Sequence, residues 1–118
     1  MGLIEQFEEG TKNWEAKLQE DEWYFSTLRE KITSHLQPNE AFVLISEAVD
    51  LVFEQSDEFL CGESFQLLLD LVRVSDTTEL SPHLEAKWDH LCTHVAQFGN
   101  YHKQKVLELE EWYRRNSR

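Results

Sequence analysis

The sequence has little of what marks a membrane, secreted or nucleotide-binding protein. No apolar run reaches the roughly 18 residues that a membrane span needs. The first nine residues lack a basic stretch followed by an apolar one, so they do not indicate a secretory signal. Only four glycines occur, and none lies in a phosphate-binding loop or a nucleophile elbow. We therefore expect a cytoplasmic protein with no membrane contact and no bound cofactor.

Positive charge is also scarce. The 118 residues include 23 Asp and Glu against 11 Lys and Arg, a formal net charge of −12. Binding to DNA or RNA depends on clustered Lys and Arg, so this balance argues against a nucleic-acid partner. The acids are concentrated in residues 1–60, which hold 14 acids and 4 bases. A basic protein is the partner that this charge favours.

The sequence has only two cysteines, Cys61 and Cys92, and they form no Cys-x-x-Cys motif. A chain of this length buries enough surface to fold without disulfides or metal. We predict that both are free thiols, buried on helices in a reducing compartment.

What the sequence does have is helical periodicity. Within residues 41–54 the polar residues fall only at positions 46, 47, 50 and 54, and in the following segment they recur at 63, 66, 70 and 73. Steps of three and four place each set on one narrow helical stripe. Both segments are therefore predicted to be central helices that pack together and serve as scaffold, with no chemistry of their own.

Amphipathic segments flank this pair. Phe7, Trp14 and Leu18 recur at steps of seven and four and predict one helix, which Gly10 weakens. The protein is thus predicted to be all-α, a single domain over residues 1–118, with about six helices in three antiparallel hairpins. The predicted helices are 3–18, 22–36, 39–55, 58–74, 82–98 and 101–115.

Polar residues at the predicted helix starts can accept hydrogen bonds from free helix N–H groups. Asp21, Asn39 and Asp57 are the predicted N-caps of the second, third and fourth helices. Ser81 followed by Pro82 predicts the start of the fifth helix.

A shift of 43 residues places Ile45 on Trp88 and Val52 on Val95, while a shift of 44 matches Phe65 with Leu109. A period near 40 residues is found in helical-hairpin repeats. The pattern resembles short HEAT-like or armadillo-like units. The resemblance implies a stack of hairpins. A six-helix bundle with short loops would give much the same pattern, so the fold is predicted to be a compact helical bundle or a short HEAT-like stack.

His90 and His94 lie four residues apart on a predicted helix, so they share a face and are candidate zinc ligands. A zinc protease of the His-Glu-x-x-His type needs Glu where this chain has Leu91. We therefore assign neither a metal nor catalytic residues, and keep a metal-binding protein or metal-assisted hydrolase as an alternative.

The aromatic and acidic residues near the start of the second helix are the strongest functional signal. Aromatic side chains with a negative rim suit binding to a basic protein. The predicted partner-binding residues are Trp14, Glu20, Asp21, Glu22, Trp23 and Tyr24. Such a small acidic α-domain is similar to bacterial immunity proteins, which implies a non-enzymatic inhibitor of a basic toxin. A structural subunit that homodimerises through its aromatic face is a further alternative, so the protein is expected to be a monomer or homodimer.

Overall fold

The computed structural model describes residues 2–114, apart from the side chain of residue 4. This part of the chain is all-helical and contains no strand, as predicted. None of its helices is long and apolar enough to cross a membrane. The described residues form seven helices: α1 Leu3–Thr11, α2 Trp14–Glu20, α3 Tyr24–Thr33, α4 Pro38–Glu54, α5 Glu58–Ser75, α6 Pro82–Ala96 and α7 Asn100–Tyr113.

The predicted first helix, 3–18, is wrong, because two helices occupy this range. The chain breaks between α1 and α2, where Lys12 is extended and Asn13 adopts a left-handed conformation with φ 56°. Asn tolerates this conformation better than most residues. Gly10 lies inside α1 against Leu28 of α3, and a Cβ at this position would come within 2.5 Å of Leu28 Cδ2. The glycine therefore permits the close approach of α1 and α3.

The central helices α4 and α5 lie close to the predicted ranges. Asp57 caps α5 as predicted, since its Oδ1 accepts a hydrogen bond from the Leu60 N–H at 2.9 Å. The predicted cap Asn39 is wrong, because α4 begins at Pro38 and Asn39 lies within its first turn. Glu40 Oε1 instead accepts from the Gln37 N–H at 2.8 Å, which satisfies a donor just before the helix.

The core lies between these two helices and the helices that cover them. Burial is complete or nearly so along one wide face of each, as the long apolar runs predict. Fully buried side chains of α4 and α5 include Ile45, Val49, Leu51, Val52, Phe65, Leu67, Leu68 and Leu71.

The helices form two rows. In one row α4 packs between α1 and α6, and in the other α5 packs between α3 and α7. The rows also contact each other through α1 with α3, α4 with α5 and α6 with α7. The described part measures 39 × 33 × 19 Å, a flat shape that agrees with two layers. This arrangement is compatible with stacked hairpins, while kinship with HEAT-like repeats remains a prediction.

Side-chain contacts show that α5 and α7 run in the same direction. Near the start of both helices His102 Nε2 lies 2.9 Å from the Glu58 carbonyl oxygen, and further along Arg73 donates to Glu108 at 2.9 Å. The same order holds between α3 and α5, where Phe25 contacts Phe59 near the helix starts. The amino-terminal ends of α3, α5 and α7 therefore meet at one edge of the molecule.

Candidate functional site

Three exposed aromatic side chains lie at this edge. Trp23 directly precedes α3 and is 65% exposed, Phe59 lies in the first turn of α5 at 37%, and Tyr101 lies in the first turn of α7 at 63%. Large apolar side chains are seldom exposed together without a reason. We call Trp23, Phe59 and Tyr101 the aromatic edge.

A tight turn holds Trp23 in solvent. The Asp21 carboxylate accepts a hydrogen bond from the Trp23 N–H at 3.0 Å, and the Asp21 carbonyl accepts from the Tyr24 N–H at 3.0 Å. Asp21 therefore shapes the turn, whereas the sequence predicted it as the N-cap; Trp23 occupies that position. Glu20, Asp21 and Glu22 are all exposed beside Trp23. The structure thus brings one aromatic residue and the three predicted acids to the same surface.

The other two predicted aromatics are half-buried and support this surface from within. Trp14 stacks on Phe59, with ring centroids 4.8 Å apart and planes inclined by 6°. It also meets the edge of Phe25 at 6.2 Å. The Tyr24 hydroxyl donates to the Gly10 carbonyl, which ties α3 to α1. Trp14 and Tyr24 therefore support the aromatic edge from within, whereas Trp23 is exposed.

A cleft of about 380 Å³ lies between α5 and α7, and its lining includes Phe59 and Tyr101. Gly62 forms part of it, and a Cβ there would come within 3.2 Å of His102 Nε2. The glycine therefore permits close packing against the bulky His102 side chain. His102 is only 5% exposed and donates from Nε2 to the Glu58 carbonyl. This bond fixes the start of α7 against the start of α5.

Sequence reasoning did not identify Phe59 and Tyr101 as site residues. Each lies within two residues of a predicted helix start, at 58 or 101, and each is an aromatic residue outside the core stripe. An aromatic residue at a helix start and outside the core stripe is a pattern from which an exposed site residue could have been predicted. What the sequence could not show is that the two helix starts lie side by side, because this depends on the parallel packing of α5 and α7.

Further along α5 the polar side chains are partly buried and form ion pairs or hydrogen bonds with α3 and α7. Arg29 of α3 forms ion pairs with Glu63 and with Asp70, the latter at 3.1 Å. Lys105 of α7 donates to Gln66 at 2.8 Å. Burial raises the pKa of Glu63, although the nearby Arg29 opposes that shift. These charges hold α3, α5 and α7 together, so the stripe is a structural surface.

The two candidate zinc ligands have different surroundings. His90 is exposed, whereas His94 is half-buried and directs Nε2 at the Val52 and Gln55 carbonyl oxygens, each 3.1 Å away. Its Nδ1 lies 3.4 Å from the Gln97 amide nitrogen. Within residues 2–114 no group of three or more His, Cys, Asp or Glu side chains is placed to hold a metal ion. His94 therefore acts as a hydrogen-bonding group at the end of α4.

Cys61 and Cys92 are both buried and neither forms a disulfide, as predicted. Burial raises the pKa of the Cys61 thiol to about 11, and the negative charge of Asp57 acts in the same direction. A thiol with so high a pKa holds very little thiolate at neutral pH. Cys61 is therefore poorly suited to act as a nucleophile.

Comparison of the chain with protein-family models, curated proteins and solved structures found no match.

Proposed function

We propose that this protein is a non-enzymatic, acidic binding module that binds a basic protein through the aromatic edge and the neighbouring acidic residues. The observation that supports this most directly is the exposure of Trp23 beside the carboxylates of Glu20, Asp21 and Glu22. A tryptophan ring loses little conformational entropy on binding and buries a large area, which makes it a frequent energetic centre of interfaces.

The edge has carboxylates available for a partner. Glu20, Asp21, Glu22, Asp57 and Glu58 are exposed, and within residues 2–114 none of them forms an ion pair. They contrast with Glu63 and Asp70, which already form ion pairs with Arg29. Unpaired acids around exposed aromatics favour a partner that carries Lys and Arg, because opposite charges steer the encounter and fix its orientation.

A specific form of this function is an immunity-type inhibitor, which would protect a bacterial cytoplasm by covering the active surface of a basic toxin. The support is the likeness of a small acidic α-domain to this class, together with an edge on which a hydrogen-bonded turn positions Trp23 and a stacked Trp14 positions Phe59. Preorganisation of this kind raises affinity by lowering the entropy lost on binding.

Affinity capture from the native lysate tests the proposal. The wild-type chain should retain a basic protein, and raised salt should release it. Trp23→Ala and Glu20→Lys/Glu22→Lys should each lower recovery by at least about tenfold, since hot-spot residues contribute 2 kcal/mol or more. The matched control is Val43→Ala, an exposed apolar residue on α4 away from the edge.

Equal recovery with the charge-reversed variant would overturn the proposal, as would recovery of no basic protein. Sedimentation of the free chain tests the homodimer alternative. If the aromatic edge served self-association, the mass would rise with concentration and Trp23→Ala would abolish the rise.

A further inference from the structure

The cleft between α5 and α7 combines aromatic, acidic and glycine residues in one place. Its lining consists of Glu58, Phe59, Gly62, Glu63, Tyr101 and His102. Two of these side chains are partly exposed aromatic rings, two are carboxylates, and none is Lys or Arg. Gly62 contributes no side chain, so the space beside Tyr101 and His102 stays open; a Cβ would come within 3.8 Å of Tyr101 Cε2.

Each wall of the cleft is held in place by the fold. Phe59 is fixed by its stack with Trp14, 4.8 Å between centroids, and by Phe25 at 5.3 Å. Tyr101 meets the His102 ring edge to face at 5.5 Å. The cleft is therefore formed before any ligand enters, and a ligand would not have to order it.

The electrostatics of the cleft favour a cation. Aromatic faces attract positive charge. The Lys105 ammonium lies 5.5 Å from the centre of the Tyr101 ring and 3.3 Å from a Glu108 carboxylate oxygen, and this ion pair offsets its repulsion of a further cation. The Glu58 carboxylate is exposed and forms no ion pair with another residue in the described range 2–114. A ligand that is both flat and positive would gain from the rings and from this carboxylate together.

We infer that this cleft receives an arginine side chain of the basic partner, with the guanidinium against the Phe59 or Tyr101 ring and paired with Glu58. The inference rests on the proposed function, whose partner it makes more specific. Arginine is preferred over lysine because the guanidinium is planar, stacks on aromatic faces and binds a carboxylate through two N–H groups. It is also less strongly hydrated, so entry into an aromatic cleft costs less.

An NMR titration of the full-length chain with the peptide acetyl-Gly-Arg-Gly-amide tests this without the natural partner. We expect saturable shifts of the Phe59 and Tyr101 ring signals. The peptide with citrulline, a neutral isostere of arginine, should bind at least about tenfold more weakly, and the lysine peptide should lie between the two.

Variants assign the binding to the cleft. Tyr101→Ala and Glu58→Gln should each weaken binding of the arginine peptide by about tenfold, whereas Tyr101→Phe should retain it. Leu107→Ala, at another exposed apolar position of α7, is the control and should bind normally. Because Tyr101 is largely exposed, its variants should remain folded, which the amide spectrum verifies.

The inference is overturned if the arginine peptide gives no saturable shift, if citrulline binds equally, or if Tyr101→Ala binds normally. These outcomes are independent of the proposed function. If the protein captures a basic protein through Trp23 but does not bind the arginine peptide, the proposed function stands and the arginine site in this cleft is wrong. If the protein binds the arginine peptide but captures no basic protein, the arginine site stands and the proposed function is wrong.

Discussion

Trp14 of α2 stacks face to face on Phe59 of α5, with the two ring planes inclined by only 6°. No residue of α2 is buried, so this short helix has little other attachment to the core. We therefore expect Trp14→Ala to loosen α2 and to lower the free energy of unfolding by about 1–3 kcal/mol. Urea denaturation measures the loss, and amide hydrogen exchange should show faster exchange in α2.

Trp23→Ala is the matched control for this prediction. Trp23 is 65% exposed, so its removal should change stability by no more than about 0.5 kcal/mol. If Trp14→Ala and Trp23→Ala lower the free energy of unfolding equally, the distinction between a packed Trp14 and a solvent-exposed Trp23 is wrong.

The central scaffold should respond to truncation far more than the surface does. Leu68 of α5 is fully buried, and Leu68→Ala should cost about 2–5 kcal/mol because it removes apolar contacts and leaves a cavity. Leu107 is 44% exposed, so Leu107→Ala should lie within about 0.5 kcal/mol of the wild type. Chemical denaturation compares the two. A small loss at Leu68 would mean that the α4–α5 pair is not the core.

The ion pair between Arg29 and Glu63 should make stability depend on pH. Burial raises the pKa of Glu63 in the folded protein, while Arg29 lowers it, so loss of Arg29 leaves a half-buried carboxylate less compensated. We expect Arg29→Ala to cost about 1–3 kcal/mol at pH 7 and clearly less near pH 4, where Glu63 holds its proton.

The sign follows from proton binding. A Glu whose pKa is raised on folding binds more protons in the folded state, so its contribution to stability is present below the unfolded pKa and is lost as pH rises through the folded value. Arg29→Ala raises the folded pKa further and steepens this loss. Urea titrations at both pH values measure it. In the Glu63→Gln background the pH dependence of the Arg29→Ala effect should largely disappear, and its persistence would assign the effect to Asp70.

Features of the fold and the candidate site could be predicted where they depend on residues close together in the sequence, and could not where they depend on distant ones. The α4 and α5 helices were predictable because their polar residues fall on single stripes, and Asp57 because it caps its own helix. The break between α1 and α2 could not be predicted, since it depends on the left-handed backbone conformation of Asn13. The surface roles of Trp14 and Tyr24 could not be separated from that of Trp23, because their contacts, Phe59 and Gly10, are distant in the sequence.

His94 and His90 separate a structural histidine from a surface one. The His94 ring lies against Phe53 at 5.5 Å, and its Nε2 faces the last carbonyl groups of α4. The Val52 carbonyl also accepts from the Gln55 N–H at 3.1 Å, and the side-chain donor adds a further hydrogen bond to this helix end, where helical partners are few. His94→Ala should therefore cost about 1–3 kcal/mol, whereas His90→Ala should change stability by no more than about 0.5 kcal/mol. Thermal or urea unfolding measures both. Isothermal titration with zinc compares the wild type with the double variant His90→Ala/His94→Ala. If the wild type releases heat and the variant does not, the two histidines share a metal site and the capping role of His94 is contradicted. If the two proteins give equal heats, His94 caps the end of α4 and binds no zinc.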